Sequence, residues 1–226
     1  MSGIGSFIAP RQLVLSLDHA ESFAREDFLA GPSNAAALAL IERWPDWPDR
    51  VMALIGPEGA GKTHLASIWA QGAGARVLAA KLLPDIDLPA AFATGALVVE
   101  DLAFAGLDER ALFHLINFAR EQTAFVLITS RSPLSTFPVA IRDLASRLRA
   151  VPAVTLSAPD DALLRALIVK LAADRQLNID EALVNYLANR IERSFAAVRA
   201  AVTQLDEEAM RRHRPVTRAL AVELFR

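Results

Sequence analysis

Residues 56–63 form a complete phosphate-binding loop of the pattern G-x-x-x-x-G-K-[ST]. Small residues let the backbone curl so that successive N–H groups point at one anion, and the following helix adds the positive end of its dipole. We expect Lys62 to reach the outer phosphates of a nucleotide and the Thr63 hydroxyl to hold Mg²⁺. The predicted phosphate-binding residues are Gly56, Pro57, Glu58, Gly59, Ala60, Gly61, Lys62 and Thr63.

The residues on both sides of this loop support that interpretation. Val51–Ile55 is an apolar run typical of a buried strand. After the loop, Leu65, Ile68 and Trp69 recur at helical spacing. A strand, the loop and a helix are the order in which this motif binds phosphate. The alternative is a glycine-rich turn that holds no ligand.

Two adjacent carboxylates, Glu100 and Asp101, follow the apolar residues 97–99. In a parallel sheet, ligands collect at the carboxyl ends of the strands. We therefore expect this pair to serve Mg²⁺ and the attacking water of phosphoryl transfer. The alternative is a solvated acidic pair that opens a turn.

Another apolar run ends in the hydroxyl residues Thr129 and Ser130. A hydroxyl in this place can contact the terminal phosphate or orient water, which would make both residues part of a catalytic site. It can equally begin the turn that precedes Pro133. The sequence leaves both interpretations open.

Arginines recur in residues 142–149, a segment with the pattern of a helix. Arginine is suited to stabilise phosphoryl charge across an interface, because its guanidinium is planar and always charged. The plainer interpretation is a solvated helix face.

The elements that must position these side chains alternate between strands and helices, which indicates an α/β domain with a parallel, doubly covered sheet. The predicted strands are residues 51–55, 76–80, 96–100, 125–129 and 153–156. After Pro159 only helical periodicity remains. We divide the chain into a leader (1–22), a nucleotide-binding α/β domain (23–157) and a small helical domain (158–226).

Composition narrows the classes of function. Of 226 residues, 53% are hydrophobic, and the formal net charge is −2, which argues against a dedicated DNA-binding domain. The lack of cysteine excludes disulfides and Cys-ligated metals, and the four histidines show no metal-ligand spacing. No apolar stretch approaches the roughly 18 residues of a membrane span. We expect a soluble, cytoplasmic protein.

The leader contains a short apolar peptide that begins with an amide side chain. Its key residues are Gln12, Leu13, Leu15 and Leu17. Alternating apolar side chains of this kind are suited to docking in an apolar groove as an extended peptide. The alternative is an arm that packs on its own domain.

Taken together, these motifs resemble the AAA+ module of the DnaA family of bacterial replication initiators, and within it most closely the Hda group. The similarity covers nearly the whole chain. Residues 56–63 match Walker A. Glu100 and Asp101 occupy Walker B, which implies that Glu100 holds Mg²⁺ together with the Walker A threonine. Thr129 and Ser130 fall at sensor 1.

Three further segments carry the resemblance. Residues 28–34 are similar to the family segment that cradles adenine. Residues 145–148 match the box that supplies an arginine finger, which implies that Arg147 acts in trans. Residues 12–17 resemble the clamp-binding peptide of the Hda group, which the initiator lacks ahead of this module. Beyond Walker A, the residues that the resemblance places at the nucleotide are Phe28, Leu29, His64, Leu167 and Arg199.

The resemblance implies a fold, two cofactors and two partners. The fold is an AAA+ P-loop NTPase with a five-stranded parallel sheet, followed by a small all-α lid. The cofactors are ATP or ADP and Mg²⁺. The partners are the DNA polymerase III sliding clamp and the initiator DnaA, with DNA approached only through them, and a homo-oligomer is possible. The implied role is stimulation of ATP hydrolysis by DnaA, which prevents re-initiation.

Three positions differ from the usual pattern of the family. Walker B usually begins with Asp, whereas here Glu100 precedes Asp101. Arg131 stands where initiators tend to have an acidic residue after sensor 1. The sensor 2 arginine aligns with Ala196, and Arg199 lies about one helical turn further on as a candidate to replace it. We therefore expect intrinsic ATP hydrolysis to be slow.

Two other classes of function share parts of this pattern. A P-loop kinase for a small molecule also has a phosphate loop and a lid, but such a kinase would keep its activity without residues 1–18. A helicase loader of the same superfamily would need aromatic side chains or a basic arm for single-stranded DNA, and neither is evident.

Overall fold

Five parallel strands form the centre of the computed structural model, which describes residues 23–225. Their order in the sheet is β2-β3-β4-β1-β5. This order leaves β1, which leads into the phosphate loop, between β4 and β5. The strands are β1 (Val51–Ile55), β2 (Arg76–Ala79), β3 (Ala96–Leu102), β4 (Phe125–Ser130) and β5 (Ala153–Thr155).

Helices connect these strands and continue after the last of them. The helices of the α/β part are α1 (Ala35–Glu42), α2 (Lys62–Ala73), α3 (Leu88–Ala91), α4 (Glu109–Glu121) and α5 (Arg142–Ala150). Those that follow the sheet are α6 (Asp161–Asp174), α7 (Glu181–Arg190), α8 (Phe195–Arg212) and α9 (Arg218–Leu224). Short 3₁₀ turns occur at Arg25–Asp27, Ala80–Asp85 and Leu134–Thr136.

The central strand β1 explains why the sheet is covered on both faces. All five of its residues are buried. Because successive side chains of a strand point to opposite faces, Val51, Ala53 and Ile55 enter one apolar cluster. Met52 and Leu54 enter the other. A strand buried on both faces reads as a continuous apolar run, and the sequence shows such a run.

The four C-terminal helices pack around an apolar cluster of their own. Each helix begins at a side chain that caps it, because an oxygen of the capping residue accepts the N–H three residues on. The capping residues are Asp160, Asp180, Ser194 and Thr217. This cluster also includes Leu29 at its edge, so the chain before the sheet contacts the helical part.

The predicted fold class is confirmed: the sheet is parallel and five-stranded, and a helical region follows it. The ends of each strand lie within two residues of those predicted. No helix among residues 23–225 is long and apolar enough to cross a membrane. The predicted clamp-binding residues Gln12, Leu13, Leu15 and Leu17 lie outside the described part of the chain.

Candidate functional site

The phosphate loop joins the end of β1 to the start of α2. Gly59 and Gly61 have φ values of 69° and 96°, in the left-handed region that favours glycine. Gly56 is required for a different reason, since a Cβ there would lie 2.6 Å from the Leu156 carbonyl oxygen. Its N–H also donates to the carbonyl of Ser130 (3.1 Å), which fixes the loop to the end of β4.

Lys62 lies inside the curve of this loop. Its side chain is buried, and its ammonium donates to the carbonyls of Gly56 and Pro57, each at 2.8 Å. Burial lowers the pKa of Lys62, and the negative charge of Asp101 acts in the opposite direction. A loop with inward N–H groups and one buried cation can hold a polyphosphate.

Thr63 and Glu100 meet beside the loop, although they are far apart in the sequence. Glu100 Oε1 is buried and has no hydrogen-bond partner, and the Thr63 hydroxyl is the nearby side-chain donor. Burial raises the pKa of Glu100, since removal from water disfavours its charged form.

These two side chains fit Mg²⁺, a cation that takes oxygen ligands and is usually held by one or two carboxylates together with substrate phosphates. Within residues 23–225 no group of three or more His, Asp or Glu side chains is gathered as a metal site. We infer that Mg²⁺ would be held jointly by Thr63, Glu100 and the phosphates of a nucleotide.

The second carboxylate, Asp101, lies within β3 where the pairing with β4 shifts register. Its φ is 54°, a conformation in which Asp is enriched several-fold over most other residues. Its N–H donates to the Thr129 hydroxyl at 2.9 Å. Thr129, itself buried, thereby holds the backbone of the acidic pair in place.

The Ser130 hydroxyl takes part in a local turn. It donates to the Ser132 carbonyl at 2.8 Å and accepts the Ser132 N–H at 3.2 Å. These contacts match the turn interpretation of the sequence more closely than a direct role in catalysis. They also fix the direction in which the chain leaves β4.

Residues 28–34 run between the sheet and the C-terminal helices. Phe28 is buried against the cluster on the α2 side of the sheet, and Leu29 packs against the C-terminal helices. Asn34 fixes the shape of the segment, because its Oδ1 accepts the Gly31 N–H (2.8 Å) and its Nδ2 donates to the Leu29 carbonyl (3.0 Å).

His64, the residue after Walker A, supports this segment. Its Nε2 donates to the Ala24 carbonyl at 3.0 Å, and the rings of Phe23 and Phe28 pack edge-on against it. Burial lowers the pKa of His64, and the positive charge of Arg199 acts in the same direction. The structure therefore brings the α8 residue Arg199 close to the start of α2.

The C-terminal helices contact the phosphate loop directly at the start of α8. The Phe195 N–H donates to the Gly59 carbonyl at 2.9 Å. A Cβ at Gly59 would lie 2.6 Å from Ser194 Cβ, so only glycine allows this approach. The Phe195 ring lies parallel to that of Phe28, with 6.5 Å between centroids and 14° between planes.

No sequence motif predicted this contact. Ser194 is recognisable as a helix cap, but a cap does not show what the helix will touch. Leu167, which the resemblance placed at the nucleotide, is buried in the cluster of the C-terminal helices.

Arg147 lies on α5, which is well anchored. The Glu109 carboxylate accepts the N–H groups of Ala140 and Ile141 just before the helix begins. The Arg147 guanidinium lies 5.2 Å from the centroid of the Phe113 ring. Arg131 is the arginine whose charge contributes to the lowered pKa of Lys62. Arg147 is not among the charged groups that shift it.

The described structure shows the arrangement of an AAA+ P-loop NTPase, and comparisons with known proteins agree. Residues 160–221 match the family described as the lid domain of Hda. The chain is 26% identical to the chromosomal replication initiator protein DnaA of Thermomicrobium roseum, over 89% of this chain and 49% of that protein. It therefore spans about half the length of that curated relative.

Solved structures of DnaA share the fold. Domain III of DnaA from Thermotoga maritima is similar with a TM-score of 0.73 and 20% identity, over 89% of this chain and 95% of that one. AMPPCP-bound DnaA from Aquifex aeolicus is similar with a TM-score of 0.66 and 16% identity, over 84% of this chain and 69% of that one.

The sheet order, phosphate loop and paired acids thus define the class of the protein as AAA+. Within that class, the chain is similar to DnaA, and its C-terminal helices, residues 160–221, are similar to the lid domain of Hda.

Proposed function

We propose that the chain is an Hda-like regulator of chromosomal replication initiation. In this proposal it binds ATP or ADP with Mg²⁺, binds the sliding clamp, and stimulates hydrolysis of the ATP that DnaA holds. The observation that carries the proposal is the position of the lid. The part of the chain that matches the Hda lid, residues 160–221, includes the two residues that touch the phosphate loop, Ser194 and Phe195.

Nucleotide binding follows from the chemistry of the loop. The backbone N–H groups of residues 56–63 would surround the phosphates, and the Lys62 ammonium would turn from its carbonyl partners to the outer phosphates. Thr63 and Glu100 would hold Mg²⁺, which neutralises charge on the phosphates. Thr129 would keep Asp101 placed to orient a water molecule. DnaA from Aquifex aeolicus, which shares this fold, is AMPPCP-bound, and that supports a nucleotide at this site.

Arg147 would act on a partner's nucleotide. It is the α5 arginine indicated by the match to the arginine-finger box, and its helix is held by buried Leu144 and Leu148 as well as by Glu109. A rigid helix can present a guanidinium to the active site of a neighbouring subunit, where it stabilises charge on the transferring phosphoryl group. Arg142 and Arg149 on the same helix are exposed and serve as comparisons.

Clamp binding would come from the leader. Gln12 would anchor the peptide, and Leu13, Leu15 and Leu17 would fill an apolar groove of the clamp. Anchor residues of short peptides typically contribute about 2 kcal/mol or more each. Docking on the clamp would bring the arginine finger to DnaA wherever a clamp is loaded on DNA.

The proposal is tested by measuring hydrolysis of DnaA-bound ATP in the presence of DNA-loaded clamp. We compare the wild-type protein with Arg147→Ala and with the matched control Arg142→Ala. Arginine fingers contribute roughly 10³–10⁵ in rate in other phosphoryl-transfer systems, so Arg147→Ala should abolish stimulation and Arg142→Ala should retain it. Arg147→Ala should still fold and bind both nucleotide and clamp.

The leader is tested separately with Gln12→Ala combined with Leu13→Ala. This variant should bind nucleotide normally and lose both clamp binding and stimulation. Full stimulation by Arg147→Ala would disprove the finger assignment. Undiminished clamp binding by the leader variant would show that residues 12–17 are an arm of the fold.

A further inference from the structure

An ion pair crosses the rim of the phosphate loop. Arg131 Nη2 lies 2.8 Å from Glu58 Oε2. Glu58 is the third residue of the loop, and Arg131 directly follows β4. The phosphate-loop motif includes Glu58, but neither the motif nor the family match assigns a role to this ion pair.

The backbone under Arg131 is fixed against the loop. The Ser130 carbonyl accepts the Gly56 N–H at 3.1 Å, and the Ser130 hydroxyl closes a turn with Ser132. The partner of Arg131, Glu58, lies in the loop, so the guanidinium reaches the rim of the loop that contains Lys62. Arg131 is therefore a second cation beside the phosphate loop.

The pair with Glu58 is easily replaced. The Arg131 and Glu58 side chains are 64% and 74% exposed, and an exposed ion pair of this kind shifts an equilibrium by at most about fivefold. Arginine binds phosphate oxygens through two parallel N–H···O bonds, which are roughly twice as strong as neutral hydrogen bonds. A phosphoryl group at the rim of the loop would therefore displace Glu58 from Arg131.

We propose that Arg131 binds the terminal phosphate of a nucleoside triphosphate in exchange for Glu58, and so makes the site distinguish triphosphate from diphosphate. The inference rests on the proposed nucleotide site. It adds a residue that senses the outermost phosphate, whereas Lys62 acts on the polyphosphate as a whole. Glu58 acts as an internal competitor for the same guanidinium.

The test measures dissociation constants for AMPPCP and for ADP, each with Mg²⁺, in wild type and Arg131→Ala. Loss of a charge-assisted hydrogen bond should weaken AMPPCP binding about 10–100-fold. ADP binding should change by less than about twofold, because ADP lacks the phosphate that Arg131 would contact. A purely structural role for Arg131 would weaken both nucleotides together, and that result would overturn the proposal.

Glu58→Gln tests the competition directly. Removing the competing carboxylate should tighten AMPPCP binding by up to about fivefold, and the gain should vanish in the Arg131→Ala background. A gain that persists without Arg131 would contradict the exchange. Arg120→Ala is the matched control. It removes an arginine that pairs with Asp49 at 3.2 Å near the amino ends of the strands, away from the phosphate loop. It should leave both dissociation constants unchanged.

Lys62→Ala separates failure of this inference from failure of the nucleotide site. If Lys62→Ala binds AMPPCP and ADP as tightly as wild type, the nucleotide site itself is wrongly assigned. If it loses both nucleotides while Arg131→Ala keeps the wild-type ratio of the two constants, only the role of Arg131 is disproved.

Discussion

The Glu100 carboxylate is the least satisfied polar group of the candidate site. Its Oε1 is buried with no hydrogen-bond partner, and the Thr63 hydroxyl is the nearby side-chain donor. Such a charge destabilises the folded chain unless a cation lies beside it. The raised pKa of Glu100 and its unpartnered oxygen are consistent with a carboxylate that binds a metal ion.

We predict that Glu100→Gln raises the melting temperature of the nucleotide-free protein and weakens Mg²⁺ binding in the presence of ADP by at least about tenfold. The amide keeps the acceptor for Thr63 and removes the charge. The stabilisation should be largest at neutral pH. It should shrink as the pH falls through the raised pKa of Glu100, because the folded wild type then takes up the proton and loses the same charge.

Asp101→Asn is the control for this prediction. It removes the neighbouring carboxylate, which is exposed and held by Thr129 through its backbone. Asp101→Asn should keep Mg²⁺-dependent nucleotide binding and lose hydrolysis. Equal loss of Mg²⁺ binding in both variants would mean that the pair acts as one site rather than in two roles.

At the scale of elements, the lid and the phosphate loop form one unit. The start of α8 donates a backbone hydrogen bond to Gly59, and Ser194 fills the space that a side chain at Gly59 would need. The same segment brings Phe195 against Phe28 of the predicted adenine-binding segment. Nucleotide affinity and lid position should therefore depend on each other.

We predict that Gly59→Ala destabilises the fold more than Gly95→Ala. Both glycines have positive φ (69° and 76°), so each substitution costs about 1–2 kcal/mol in backbone strain. At Gly59 the new methyl group also meets Ser194, whereas at Gly95 it meets no atom within 4 Å. Thermal unfolding and ADP titration should show a lower melting temperature and weaker ADP binding for Gly59→Ala.

Ser194→Gly separates the lid contact from damage to the loop itself. Gly is nearly as good a helix cap as Ser, so the single substitution should cost only a few tenths of a kcal/mol. In the Gly59→Ala background it should restore stability by about 0.5–3 kcal/mol, the range for residues in contact. Strict additivity of the two substitutions would argue against the contact.

At the scale of the whole molecule, the parallel sheet brings the candidate functional residues together at the carboxyl ends of its strands. The carboxyl ends of β1, β3 and β4 supply the phosphate loop, the acidic pair and the Thr129–Ser130 pair. The register of β1 against β4 places Ile55 beside Ser130, and the next residue, Gly56, donates its N–H to the Ser130 carbonyl. This hydrogen bond joins the phosphate loop to the end of β4. The lid, which follows the sheet in the sequence, contacts the phosphate loop at this end of the strands.

We predict slow ATP turnover for the isolated protein, about 0.1 per second or less. The longer Glu100 stands where the family has Asp, and the shorter Asp101 follows it, so each carboxylate is displaced by about one methylene. Displacements near 1 Å can cost about a hundredfold in rate, against a typical turnover of about 10 per second. The measurement is the rate of phosphate release by wild type, with the rate of Lys62→Ala subtracted as background. Several turnovers per second would refute the prediction.

The sequence by itself determined the local parts of this protein. The phosphate loop is a contiguous motif, the strands are continuous apolar runs, and the lid helices have clear periodicity and caps. Each of these signals lies within a few residues, because backbone conformation and the pattern of burial repeat over that distance. The candidate roles of Lys62, Thr63 and the pair Glu100–Asp101 followed from the same local reasoning.

Only the tertiary structure decided which of these parts touch. The pairs Thr63–Glu100, Asp101–Thr129, Glu58–Arg131 and Gly59–Ser194 join residues distant in the sequence. No periodicity encodes such pairs, because they depend on strand order, on register and on how the lid packs. Ser130 shows the limit of the local signal: its hydroxyl suited either a catalytic site or a turn, and in the structure it makes hydrogen bonds within a turn to Ser132.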